Sequence, residues 1–207
     1  MNDLLIAEAV RYLKQKDKRL GRVIDRIGPI EPRRHKGSGF QALVTIIVGQ
    51  QLSSKAAQSI FKRLLDATGG RTVKPEALAK LTDKQLREVG LSNAKVKSVR
   101  DLLRCMDEGL LKVTRLPKMN DEDVFEAVTQ VKGLGPWSAQ MYLMFSLGRP
   151  DIFSAGDLGL RKAIVNIYGV DPDKADFDEI ARRWIPYRTV ASWYLWRSLV
   201  NEPAIAE

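Results

Sequence analysis

The chain has 207 residues, 44% hydrophobic and 29% charged, which excludes a disordered segment, a repeat array or a multidomain scaffold and predicts one domain or two small lobes with a core of their own. It carries 34 Lys and Arg against 25 Asp and Glu, a formal charge of +9, so an acidic partner such as nucleic acid or an anionic surface is favoured. One cysteine, Cys105, excludes an intrachain disulfide, and with one histidine, His35, the side chains of a structural zinc site or an iron–sulfur cluster are missing.

In chain order, the N-terminus mixes acids with apolar residues at helical spacing (Leu4, Leu5, Ala7, Val10, Leu13). That predicts an amphipathic helix, unlike a secretory signal, and an intracellular protein, in the bacterial cytoplasm or a nucleus. Residues 28–39, with two prolines and the basic cluster around His35, read as a connection between the N-terminal helices and the main body, with His35 exposed or loosely phosphate-contacting. Helical spacing resumes at Phe40–Val48, and the apolar run from Ala42 to Gly49 is well short of the ~20 residues that cross a bilayer, so no membrane partner is expected. Further helices are predicted over 57–65, 96–106 and 124–131. Thr82 and Gln85 have capping-box spacing, and Asn120 precedes three acids. The segments 139–147 and 190–200 are apolar nearly all round and belong in the interior. Gly and Pro stops imply about ten short helices, no alternating strand is present, and the fold class is all-α.

Between the predicted helices ending near Val131 and beginning near Trp137 lies Lys132, Gly133, Leu134, Gly135, Pro136. The glycines suit a tight hairpin and a close approach, Pro136 suits a first helical position, and Leu134 would plug the turn between the helices. Two readings stand: an ordinary helical turn, or a phosphate site made by backbone amides at a helix start. Farther on, Asp157 precedes a helix running to about Tyr168. It reads as an N-cap or as a functional carboxylate, whereas Asp151, Asp171 and Asp173 read as caps.

Taken with Phe153 to Asp157, Gly49 to Ala57 and Val89 to Lys95, the segment Val131 to Ala139 resembles the helix–hairpin–helix DNA glycosylase superfamily, over about Phe40–Trp196. Bifunctional members carry a lysine nucleophile where this chain has Trp137, which cannot play that part. Trp137, the stretch from Arg183 to Trp196 and the absence of a four-cysteine cluster resemble the alkylpurine branch, the 3-methyladenine DNA glycosylase II type, in a short form without the extra N-terminal domain of longer members.

The resemblance implies two helical lobes flanking a cleft within a single glycosylase module over 1–207: one of 1–36 with 149–207, the other 37–148 carrying the hairpin at 132–136. It implies a monomer without cofactor that flips alkylated purines, of the 3-methyladenine and 7-methylguanine type, out of duplex DNA and hydrolyses the N-glycosidic bond in base excision repair. Asp157 would be the catalytic carboxylate. Trp137 and Trp196 would be walls of the base pocket, with Met141 and Tyr194 as further candidates beside a core reading for each. Gln51, Leu52 and Ser53 would meet DNA near the flipped nucleotide, with Gln51 at the wedge, and Lys132, Gly133, Leu134 and Gly135 would hold a phosphate. Lys55, Arg161 and Lys162 read as further backbone contacts or as solvated charges. The family often adds a monovalent cation on hairpin carbonyls, here Thr129, Val131 and Leu134. Competing readings are a non-catalytic helix–hairpin–helix module for damaged DNA and a glycosylase for deaminated or oxidised bases.

Overall fold

The computed structural model describes residues 1–31 and 39–200; His35 and its basic neighbours lie outside the described residues. In chain order the helices are α1 (Asp3–Lys16), α2 (Lys18–Ile27), α3 (Gly39–Gly49), α4 (Ser54–Ala67), α5 (Pro75–Ala79), α6 (Asp83–Glu88), α7 (Asn93–Asp107), α8 (Asp121–Thr129), α9 (Pro136–Tyr142), α10 (Leu158–Tyr168), α11 (Phe177–Arg182) and α12 (Arg188–Val200). A 3-10 turn, Leu116–Lys118, precedes α8, and a π-helical turn, Leu143–Leu147, continues α9. Among the described residues there is no strand, so the fold is all-α, and no helix is long and apolar enough to cross a membrane. The helices outnumber the ten expected because short ones such as α5 and α11 carry too few turns to show a periodic stripe, and because α1 and α2 are separated by one residue, Asp17, with neither Gly nor Pro to mark the break.

The chain divides into two compact units, Met1–Arg33 with Gly148–Glu207, and Arg34–Leu147. In the first, α12 is the central helix, buried at every position from Thr189 to Leu195, and it packs on α1, α2 and α10. The apolar face of α1 is Ile6, Ala9 and Leu13, while Leu4 is 82% exposed, a rotation from the stripe that the spacing predicts. The capping box at Thr82 and the Asn120 cap both form as the sequence predicts. In the second unit α3 is buried on nearly every side and packs on α4, α7 and α9. Its buried Gln41 accepts the Val73 N–H at 2.9 Å, so no polar group is stranded there.

The first unit closes on a buried carboxylate. Asp17, 4% exposed, caps α2 by accepting the N–H groups of Arg19 and Leu20, and accepts the Tyr168 hydroxyl at 2.6 Å and the Trp184 indole N–H at 3.0 Å. Burial pushes this carboxyl up, but those hydrogen bonds and the Arg183 guanidinium outweigh it and leave the group below its ordinary value. Burial and the hydrogen bond to Asp17 push the Tyr168 phenol up. A depressed carboxyl stabilises the fold above its unfolded pKa, and that contribution is lost as pH falls through the folded value. Asp17→Ala is therefore expected to lose roughly 3 kcal/mol at pH 7 by urea unfolding, because a cap and two buried donors lose their acceptor. The stability gap between the parent and Asp17→Asn should shrink as the buffer is taken below about pH 4.

Candidate functional site

In the second unit, α8 and α9 form the hairpin. Leu134 is 1% exposed and its N–H is used inside the turn, on the Val131 carbonyl at 2.9 Å, while Lys132, Gly133 and Gly135 are exposed. Only Gly133 needs a glycine's torsions, with φ +85°, and a Cβ there would lie 2.0 Å from Ser98 Oγ. Gly135, against the expectation for both glycines, has φ −89° and ψ −171°, an extended N-cap ahead of Pro136. A Cβ there would meet nothing within 4 Å, so the space beside this helix start is open.

Two side chains hold this turn, and a third holds the end of α3 from which one of them comes. Asp101 of α7, 8% exposed, accepts the Lys132 N–H at 2.7 Å and binds Arg104 at 2.9 Å. Burial raises its carboxyl, but the Lys132 amide, Arg104 and Cys105 outweigh that and lower it. Gln50 Nε2 donates to the Gly133 carbonyl at 2.8 Å and to Ser138 Oγ at 3.0 Å. The Lys95 ammonium donates to the carbonyls of Val48 and Gln50, both at 2.8 Å, and burial pulls its pKa down. Gln51, next in the chain, is exposed with φ 55°, a conformation that costs of order 1 kcal/mol outside glycine and concentrates at working sites. Leu52 is 40% exposed, and Ser53 caps α4 by accepting the Ala56 N–H. Trp137 lies half-buried in the first turn of α9. Of the three carbonyls considered for a cation, Val131 accepts the Leu134 N–H, and a carbonyl oxygen has two lone pairs. Among the described residues no group of three or more His, Cys, Asp or Glu gathers as metal ligands.

In the first unit, Asp157 is the N-cap of α10: its Oδ1 accepts the Leu160 N–H at 2.8 Å and the Trp196 indole N–H at 2.8 Å. The loop before it is tied to the start of α12. Thr189 Oγ1 accepts the Ile152 N–H and donates to the Arg149 carbonyl at 2.7 Å, the Thr189 N–H donates to the Pro150 carbonyl, and Arg188 forms a two-pronged pair with Asp151 at 2.8 and 3.0 Å. Asp151 is therefore an ion-pair partner, and its Oδ1 also accepts the Arg188 N–H at the start of α12 at 3.3 Å, so it serves a helix start distant in sequence rather than one that it precedes. Asp171 closes a local turn on the Asp173 N–H. Among the described aspartates, those at N-cap positions are Asp17, Asp157 and Asp176.

Residues 44–187 match the HhH-GPD superfamily of base excision DNA repair proteins. The chain belongs to that superfamily. It is 35% identical over 170 residues to YfjP of Bacillus subtilis, covering 78% of this chain and 59% of that protein, so it spans less than two thirds of that relative. The structure of a DNA-3-methyladenine glycosidase from Bacillus halodurans is 38% identical with a TM-score of 0.78, over 92% of this chain and 88% of that one. The 3-methyladenine DNA glycosylase Mag1 of Schizosaccharomyces pombe, in complex with abasic DNA, is 27% identical with a TM-score of 0.84, over 92% and 96%.

Within this superfamily fold the remaining sequence candidates separate by burial. Met141 is 5% exposed inside α9. Tyr194 is 1% exposed and donates its hydroxyl to the Gly28 carbonyl. Two residues from Trp196 on a helix, it faces away from the half-buried indole. Lys55 and Lys162 are exposed, and Arg161 lies over the Phe177 ring at 4.7 Å. The residues that sequence reading passes over are Gln50, Lys95, Ser98 and Asp101. Their available signal is Ser98, Asp101 and Cys105, three polar or small residues at positions of α7 that are buried along with Val99 and Leu102. Removing Asp101 strands the Lys132 amide, so Asp101→Ala is expected to lose about 2 kcal/mol and to speed hydrogen exchange at Lys132. Gly133→Ala should destabilise by about 1–3 kcal/mol in urea unfolding, with Ser98→Ala in the same chain recovering the steric part but not the torsional one.

Proposed function

We propose that this protein is a monofunctional DNA glycosylase, a monomer acting on alkylated purines in duplex DNA. Support comes from the superfamily, from relatives named for 3-methyladenine DNA, from Mag1 being in complex with abasic DNA, and from one observation that carries the reading. That observation is Asp157, a half-buried carboxylate whose Oδ1 is pinned by two donors at the start of α10 behind a loop clamped to α12.

In the proposed reaction the exposed turn at Gly133 and Gly135, with Lys132, holds a backbone phosphate, and the strained tip at Gln51 and Leu52 meets the helix where a nucleotide is turned out. An N-alkylated purine is a cation, so the face of an aromatic ring such as that of Trp196, which lies beside Asp157 in the same unit, attracts it by about 0.5–2 kcal/mol beyond stacking with a neutral base. The C1′–N bond breaks with its electron pair leaving on the purine, which departs neutral. The sugar is left as an oxocarbenium-like cation. A fixed carboxylate lowers the energy of that cation, water adds its oxygen to C1′, and its proton passes to Asp157 or to solvent. Because the leaving base is already cationic, no acid is needed to protonate it. A charge of +9 serves approach to DNA and makes it salt-sensitive, while lesion choice rests on uncharged rings.

Incubation with randomly methylated duplex DNA should release free alkylpurines, seen by chromatography. Asp157→Asn should retain duplex binding while release falls by roughly 100-fold or more. A complete absence of release by the parent protein would leave a binding module. With tryptophan at position 137, borohydride should trap no covalent protein–DNA adduct; a trapped adduct would contradict a purely hydrolytic enzyme.

A further inference from the structure

The loop from Gly148 to Asp157 is fastened to one face of one helix. Thr189 and Trp196 are seven residues apart on α12, two turns of the same face, which places them about 10.5 Å apart along its axis. Thr189 takes the beginning of the loop through Arg149, Pro150 and Ile152, and Trp196 takes its end through Asp157 Oδ1 at 2.8 Å. α12 thus acts as a ruler for the loop.

Space for the upper fastening depends on Gly159. A Cβ at that position would sit 3.0 Å from Trp196 Cδ1 and 3.1 Å from both Trp196 Nε1 and Asp157 Oδ1. Gly159 lies in the first turn of α10, two residues after the Asp157 cap. The close approach of indole and carboxylate is the physical reason for a glycine there.

We propose that Trp196 is a positioning residue for Asp157, and that Gly159 is the clearance that lets it act. The proposal rests on the reading of Asp157 as the acid that stabilises the sugar cation. An indole N–H is a neutral donor: it fixes the carboxylate oxygen without cancelling its charge, as a lysine or arginine in that place would. The basic side chain nearest in sequence on α10, Arg161, is turned to the Pro172 carbonyl at 3.2 Å and the Phe177 ring. A wall of the base pocket needs only the face of a ring, and phenylalanine supplies one. A positioning residue needs the N–H.

Trp196→Phe and Gly159→Ala therefore share one expected signature, although glycine has no functional group to lose. Under single-turnover conditions on methylated duplex, each should slow base release by roughly 10- to 100-fold while the duplex dissociation constant stays within about 3-fold of the parent. The indole N–H resonance of Trp196, assigned by its loss in Trp196→Phe, should move in Gly159→Ala. An unchanged rate in Trp196→Phe, or a rate loss matched by an equal loss of binding, overturns the proposal. Asp157→Asn separates the two readings. If it releases base at the parental rate, the role of Asp157 itself fails; if it is inactive while Trp196→Phe keeps the parental rate, only the positioning role fails.

Discussion

A helical protein must satisfy the backbone N–H groups that its helix starts and tight turns leave open, and here three buried or half-buried carboxylates do so in ways that organise what surrounds them. Asp17 is the one on which the first unit closes. Its two oxygens receive the first turn of α2, a phenol from the end of α10 and an indole from the segment after α11, so three distant stretches of chain meet on one charge. Removing a charge from water is expensive unless hydrogen bonds replace the water, and four donors do so at Asp17.

The same device recurs with a different purpose in the second unit. Asp101 receives the backbone N–H of Lys132, a group that the tight turn cannot satisfy by itself. With Gln50 on the Gly133 carbonyl and Lys95 on the end of α3, it makes the turn at Gly133 and the tip at Gln51 parts of one braced structure. For the proposed function, in which this surface grips a phosphate and displaces a base, rigidity beforehand is an advantage, because ordering it during binding would weaken the complex.

Asp157 is the third instance. It is a helix cap by geometry, and a cap is a sound place for an acid of the proposed kind: the N–H donors of the cap also fix where the carboxylate points. The cap reading and the functional reading of this residue are therefore one arrangement. What separates Asp157 from Asp176, which caps α11 in the same way, is the second donor from Trp196 and the loop anchored to α12.

Helical periodicity, Gly and Pro punctuation and capping signals are local properties, and from them alone the all-α class, most helix positions, the Thr82 box, the hairpin at 132–136 and the cap at Asp157 can be read in the chain. The order of those motifs, with Trp137 at the start of α9, was enough to mark the superfamily and its branch. Tertiary structure decided whatever depends on which distant residue arrives at a given spot: that Gln50 and not Gln51 braces the hairpin, that Asp151 pairs with Arg188, that Tyr194 turns into the core while Trp196 turns to Asp157, and which face of α1 is buried. No local pattern carries that information, because a hydrogen bond between residues 157 and 196 is set by how α10 packs on α12 and by a glycine that lets them close.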